Sequence, residues 1–214
     1  MKKLFTIVAA ILAMAGVLTG CGADFDASGY VKACLDANVH GEYAAYAEIT
    51  KTEESVIQSQ HDEVIEQEMA MLDVFNIDDA TKDKFRELFL TVYDSCKYEV
   101  GEAAKNDDGT FTVPVTVYKL KAFGNLAEDA QVYVQDYYEQ EMEAGNDPSQ
   151  DELYAKIVDY MYEKLSENVK KLEYGDPEVR NVKVEPTASN SRVYQIETNE
   201  LQDLMYALTD AMEQ

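Results

Sequence analysis

The chain has 214 residues, 42 Asp+Glu against 18 Lys+Arg, and a formal net charge of -24. A hydrophobic fraction of 46% is enough for a packed core, which excludes a wholly disordered acidic chain. The acidity, with no basic stripe to offset it, excludes nucleic acid as a partner, because a polyanion would be repelled.

The charge is unevenly spread. Residues 1–20 hold Lys2 and Lys3 and no acid, so the other 194 residues carry 16 bases against 42 acids, a net -26. Lys2 and Lys3 form a positive n-region, and the apolar run Leu4 to Val17 follows. That run is shorter than the ~20 residues a spanning helix needs and suits a signal-peptide h-region. Leu18-Thr19-Gly20-Cys21 then has the lipobox pattern of an apolar residue, two small residues and a cysteine. The thiol at Cys21 can take a diacylglyceryl group. The small residues let the backbone enter a peptidase that cuts between Gly20 and Cys21. Two acyl chains hold a protein stably at a membrane where one does not. The expectation is therefore a signal peptide over 1–20, a short lipid tether over 21–25, and a single domain over 26–214 on the extracytoplasmic face of the cell membrane.

Cys34 and Cys96 remain. In an oxidising compartment they could form a disulfide, or they could pack as buried free thiols.

Helical periodicity dominates the first third of the domain. Asp26 can cap a helix whose apolar face is Tyr30, Val31, Cys34, Leu35 and Val39, with Gly41 as its stop. A short helix over Glu42 to Ile49 carries Tyr43 and Tyr46. Thr50 with Glu53 has the spacing of a capping box, opening a long helix to about Leu72 with Val56, Ile57, Val64, Ile65 and Met69 inward. Asp78 caps a further helix with Phe85, Leu88, Phe89, Val92 and Tyr93 on one face.

The period then changes to two. Cys96 to Ala103 reads as a strand, Asn106-Asp107-Asp108-Gly109 as a turn, and Phe111, Val113, Val115 and Val117 as the inward side of a second strand. Pro114 favours an edge position or a bulge. Two helices follow, Leu126 to about Ala144 and a second capped by Asp147-Pro148 and ended by Gly175. Val179, Val182 and Val184 mark a third strand, Arg192 to Ile196 a fourth, and Thr198 opens a final amphipathic helix. Hairpins and helices without βαβ alternation indicate an α+β fold. The expected architecture has N-terminal helices and a curved four-stranded antiparallel sheet made of two hairpins. A two-helix insertion over 125–175 separates the hairpins, and a C-terminal helix follows.

The lipobox, the segment Phe25-Asp26-Ala27-Ser28-Gly29-Tyr30-Val31, Gly41-Glu42-Tyr43, and Lys97-Tyr98-Glu99-Val100 with Phe111 to Leu120 resemble cell-surface lipoproteins of Gram-positive, Firmicutes-type bacteria. The hairpin-and-helix order is also similar to a nuclear transport factor 2-like (cystatin-like) α+β cone. The resemblance implies a lipid-anchored extracytoplasmic domain with room for a pocket between sheet and helices. It supplies no catalytic residues to carry over.

Candidate chemistry is sparse. The two histidines, His40 and His61, read as surface groups, and no HExxH or CxxC spacing offers a metal site. No nucleophile motif and no phosphate-cradling glycine loop occurs, and no cofactor is implied. Tyr133 and Tyr137 share a helix face, and with Tyr160 they offer an aromatic, acid-rimmed surface that could bind a peptide or glycan; packing between the two helices is the alternative. The expected function is a non-enzymatic domain binding a protein, peptide or small molecule. A carboxylate-based hydrolase and an envelope scaffold are the alternatives.

Overall fold

The computed structural model describes residues 16–17, 25–188 and 192–210. The helices are α1 (Ala27–Leu35), α2 (Ala44–Thr50), α3 (Glu54–Ala70), α4 (Asp79–Asp94), α5 (Leu126–Glu143), α6 (Gln150–Lys171) and α7 (Thr198–Ala207). The strands are β1 (Gly16–Val17), β2 (Lys97–Val100), β3 (Ala104–Lys105), β4 (Phe111–Leu120), β5 (Tyr174–Pro186) and β6 (Val193–Ile196). The protein is α+β as expected: one antiparallel sheet in the order β1-β6-β5-β4-β2, with β3 also on β4. The two hairpins join through a long β4–β5 ladder, from Phe111↔Val184 to Leu120↔Tyr174, with an irregularity between Tyr118 and Leu120. The two-residue β1, within the apolar run read as a leader, lies beside Val193 and Tyr194 of β6.

The alternation in β4 builds the core. Val113, Val115, Val117 and Leu120 are at most 1% exposed. Val31, Leu35, Phe85, Leu165, Leu201 and Leu204 belong to the same buried cluster. Pro114 occupies the central strand, not an edge. Its cost there is removed by a gap in the neighbouring strand: β2 ends opposite Val115 and β3 begins opposite Thr112. The Pro114 carbonyl accepts from Gly101 N–H at 2.8 Å within that gap, so the missing proline N–H breaks no ladder bond.

Several helix ends differ from expectation. Asp26 caps α1 as expected, accepting from Gly29 N–H at 2.8 Å. The Thr50–Glu53 capping box does not form. Thr50 belongs to α2 and donates back to Tyr46 O, Lys51 turns left-handed at φ 55°, and α3 starts after Glu53 without a side-chain cap. α6 is capped by Ser149 in a reciprocal box with Glu152, not by Asp147. It ends at a left-handed Leu172, and Gly175 lies inside β5. At Thr50 and at Ser149 a completed hydrogen bond, and not residue type alone, decides the outcome.

Phe25 pins the start of the domain. It is buried, stacked on Tyr194 at 4.3 Å between centroids and edge-on to Tyr30 at 5.6 Å.

Gly101 sits so close to Pro114 that an added Cβ would lie 2.9 Å from Pro114 Cγ and 3.2 Å from Pro114 O. Gly101→Ala is expected to lower unfolding stability by about 1–3 kcal/mol. Pro114→Ala in the same chain should restore part of that loss. A double-mutant cycle by urea denaturation measures the coupling, and strict additivity would contradict the contact.

Candidate functional site

The polar chemistry concentrates where α1 widens into a π-turn over Asp36–His40. Such a turn widens the helix, with main-chain bonds reaching one residue farther than in an α-helix. Asn38 ties it back to α1: its Nδ2 donates to Cys34 O at 2.7 Å. A left-handed Gly41 at φ 64° closes the segment, donating to Asp36 O.

The widened turn brings buried Asp36 and Asn38 and partly buried His40 into contact with later elements. Asp36 Oδ1 accepts from Tyr98 OH of β2 at 2.6 Å, and Oδ2 from Lys32 Nζ at 2.5 Å. Burial, and then the hydrogen bond to the Asp36 carboxylate, raise the Tyr98 phenol far above its ordinary range. His40 stacks on Tyr98 with centroids 5.5 Å apart, its Nδ1 3.7 Å from Asp94. His61 of α3 is not the surface group its charged neighbours suggested; it is 6% exposed. Its Nε2 lies 3.2 Å from Asn38 O, which can only accept, so the proton sits on Nε2. Nδ1 therefore accepts from Tyr43 OH at 2.9 Å. Burial lowers the His61 pKa, against the smaller raising effects of the Asn38 carbonyl and Asp62. The arrangement is a satisfied network that holds a neutral imidazole, and its main product is rigidity.

A second polar centre lies behind it. Glu68 of α3 is 6% exposed, accepts from Tyr93 OH at 2.6 Å through Oε1, and leaves Oε2 without a partner. Burial raises its carboxyl to about 7, with the Tyr93 bond acting the other way. Sequence reading missed both His61 and Glu68. Their signal was positional: Ile57, His61, Ile65 and Glu68 recur at helical spacing and are all buried. Val56, assigned inward from sequence, is 43% exposed.

The disulfide considered for Cys34 and Cys96 is not formed: both are free buried thiols. Asn38 Nδ2 lies 3.7 Å from Cys34 Sγ, while Cys96 Sγ donates to Val92 O at 3.5 Å. Burial pushes each thiol up to about 12, which keeps both protonated and removes them as nucleophiles. Cys21 and Gly20 lie outside the described residues.

A cleft of about 240 Å³ opens between the end of β4, the end of α6 and the segment after α7, lined by Lys121, Gly124, Asn168, Lys171, Glu173 and Asp210. Its walls are tied to the backbone. Asp210 accepts from Phe123 and Gly124 N–H, each at 2.8 Å, and Asn168 Nδ2 donates to Ala122 O at 2.9 Å. Its size is below the ~300 Å³ at which small-molecule sites begin. Among the described residues no cluster of His, Cys, Asp and Glu is arranged to hold a metal ion.

The three tyrosines singled out from sequence lie on the α5–α6 arm. Tyr133 stacks on Tyr160 at 4.6 Å, Lys164 sits 5.8 Å over Tyr160, and Lys156 covers Tyr137 at 5.2 Å. They are thus one half-exposed patch at the helix–helix seam. Away from that seam α5 carries exposed Val132 and Met142 (60% and 47%), with Tyr138 (39%) on its flank. α5 contains six acids and no base, its buried residues are confined to its first turns, and α6 is its one extensive neighbour.

The raised carboxyl sets a pH dependence. A carboxyl whose folded pKa exceeds its unfolded value stabilises at low pH and loses that contribution as pH rises through the folded value. Unfolding stability should therefore fall between about pH 5 and pH 8. Glu68→Gln should abolish most of this decline, up to about 3 kcal/mol for a shift of this size. Denaturation midpoints across that range, for both proteins, provide the check. An equal decline in the variant would assign the effect elsewhere.

Comparison with known proteins places the fold alone. No protein-family model matches the chain, and no curated protein matches it in sequence. Among solved structures it is similar to the crystal structure described as that of a putative lipoprotein (ycdA) from Bacillus subtilis, with a TM-score of 0.54 at 17% identity. The match covers 86% of this chain and 56% of that one, so the chain spans little more than half the length of this structural neighbour.

Proposed function

We propose that the protein is a lipid-anchored extracytoplasmic domain that recognises a cationic polypeptide through the outward side of α5, without catalysing a reaction. The observation that carries the binding reading is the outward side of α5: exposed Val132, Tyr138 and Met142 interspersed with Glu128, Glu139 and Glu143, on a helix with no base. Exposed apolar side chains rimmed by one sign of charge mark a surface suited to a partner of opposite charge. The adjoining Tyr133–Tyr160 stack offers rigid aromatic contact area of the kind that anchors interfaces.

The lipobox carries the anchoring half of this reading. Leu18-Thr19-Gly20-Cys21 provides the acylation site. No described helix is long and apolar enough to cross a membrane, so attachment in this reading is by lipid. Phe25 is fixed in the core only four residues after Cys21. A tether of that length spans roughly 14 Å fully extended, which holds the domain close to the bilayer. The structural neighbour named as a lipoprotein agrees with this reading.

Two measurements test the two halves. Cys21→Ala should move the protein out of the membrane fraction, and unchanged membrane retention would sink the lipid anchor. Binding of a fluorescent Lys/Leu amphipathic peptide to the full chain, followed by anisotropy, should weaken at least tenfold in the Val132→Asp, Met142→Asp double variant. An unchanged affinity would remove α5 from the reading.

A further inference from the structure

Among the described residues, the edge of the sheet beside α7 is only partly paired. β6 meets β5 from Val184 to Pro186 and no farther. From Asp176 to Asn181 every residue of β5 is exposed, and Val179, at 61%, is the most exposed large hydrophobic residue among those described. We propose that this open edge, Pro177 to Asn181, pairs antiparallel with the same segment of a second copy of the chain, centred on Val179.

The hydrogen-bond directions support that pairing. Pro114 O points to Gly101 on the β2 side of β4, so its partner Asn181 directs N–H and C=O away from β4. By alternation Val179 and Pro177 do the same. Lys183 confirms the phase, since its N–H donates outward to Glu200 Oε2 at 2.7 Å. Pairing about Val179 then makes two bonds between the two Val179 residues and two from Asn181 N–H to the Pro177 carbonyl of the other copy. Pro177 lacks an N–H to donate, and the Lys183 N–H is already held, so the pairing ends there.

Charge selects this register. Glu178 and Arg180 lie on one face, paired with each other at 2.9 Å and both about half exposed. In the register centred on Val179, each Glu178 stands opposite an Arg180 of the other copy, and the four side chains alternate in sign. A shift of two residues either way sets Glu178 against Glu178 or Arg180 against Arg180, which is destabilising in a cross-strand pair. The Val179 side chains meet on the opposite face and leave water.

The register can be read by cross-linking the full chain in detergent. In Val179→Cys the two new thiols face each other with Cα atoms about 5.5 Å apart, within disulfide range. In Asn181→Cys they lie about 13 Å apart, four residues of strand. Mild oxidation should give a covalent dimer at least tenfold above the unsubstituted chain for Val179→Cys and at background for Asn181→Cys. Sedimentation supplies the charge arm. Glu178→Arg alone and Arg180→Glu alone should be monomeric, and their equimolar mixture should dimerise, because opposite signs again face each other. Cross-linking equal at both positions, absent from both, or a dimer that persists in either single charge variant would overturn the proposal.

Discussion

β4 is the constraint on which the fold depends. It pairs along most of its length on both sides, with β5 and with β2 and β3, and its inward residues Val113, Val115, Val117 and Leu120 are almost completely buried. A strand so placed cannot slip, because a shift of one residue would turn that row to the other face. The N-terminal helices, α4, α6 and α7 all contribute to the core that this row anchors. Leu120 also receives the chain at its far end, donating to Leu208 O and accepting from Asp210 N–H. One strand therefore joins the beginning and the end of the described domain, and Pro114 is tolerated in it because its imino side faces a break in the neighbour.

The buried polar groups follow from the same packing. α1 lies across the sheet, and its C-terminal turn must carry Asp36 and Asn38 inward. Each buried polar atom then needs a partner, since an unpaired one costs about 1–3 kcal/mol. The π-turn supplies those partners by aiming Asp36 at Tyr98 and the Asn38 carbonyl at His61. Glu68 is the exception, with one oxygen unpaired, and it responds by a raised pKa that favours the uncharged acid. The network couples α1, α3 and β2, three elements far apart in sequence, through groups that fit one geometry.

The legibility of these features follows how local their causes are. The alternation of Phe111 to Val117, the stripe of Phe85, Leu88, Phe89 and Val92, the Asp26 cap and the Gly41 stop each depend on a few adjacent residues, and all are visible in the sequence. The α+β order follows from them. Ser149 and Asp147 are both acceptable caps by type, and only the Glu152 side chain reaching back decides between them. Thr50 and Glu53 have the right spacing, yet the Thr50 hydroxyl donates to the Tyr46 carbonyl within α2. His61 and Glu68 look solvated among charged neighbours, and their burial depends on which side of α3 meets the core. The thiols illustrate the same limit: their count and the expected compartment allow a bridge, while the fold engages Cys34 and Cys96 with different partners.

The effect of the charge is likewise set by local placement. With 42 acids and 18 bases, the placement of each base matters more than the total. Arg86 bridges Glu66 and Asp83, and Lys82 meets Asp73 at 2.5 Å, so bases of α4 bind it to the acids of α3 and the turn after it. Lys156, Lys164 and Lys97 lie over the rings of Tyr137, Tyr160 and Tyr118, which shields aromatic faces by cation–π contact. These positions serve the inner seams and the sheet. None lies on α5 itself, whose own sequence has no base. That helix therefore combines six acids and no base of its own with exposed Val132, Tyr138 and Met142. A solvated acidic surface needs no such side chains; their exposure there is the observation on which the proposed binding face rests.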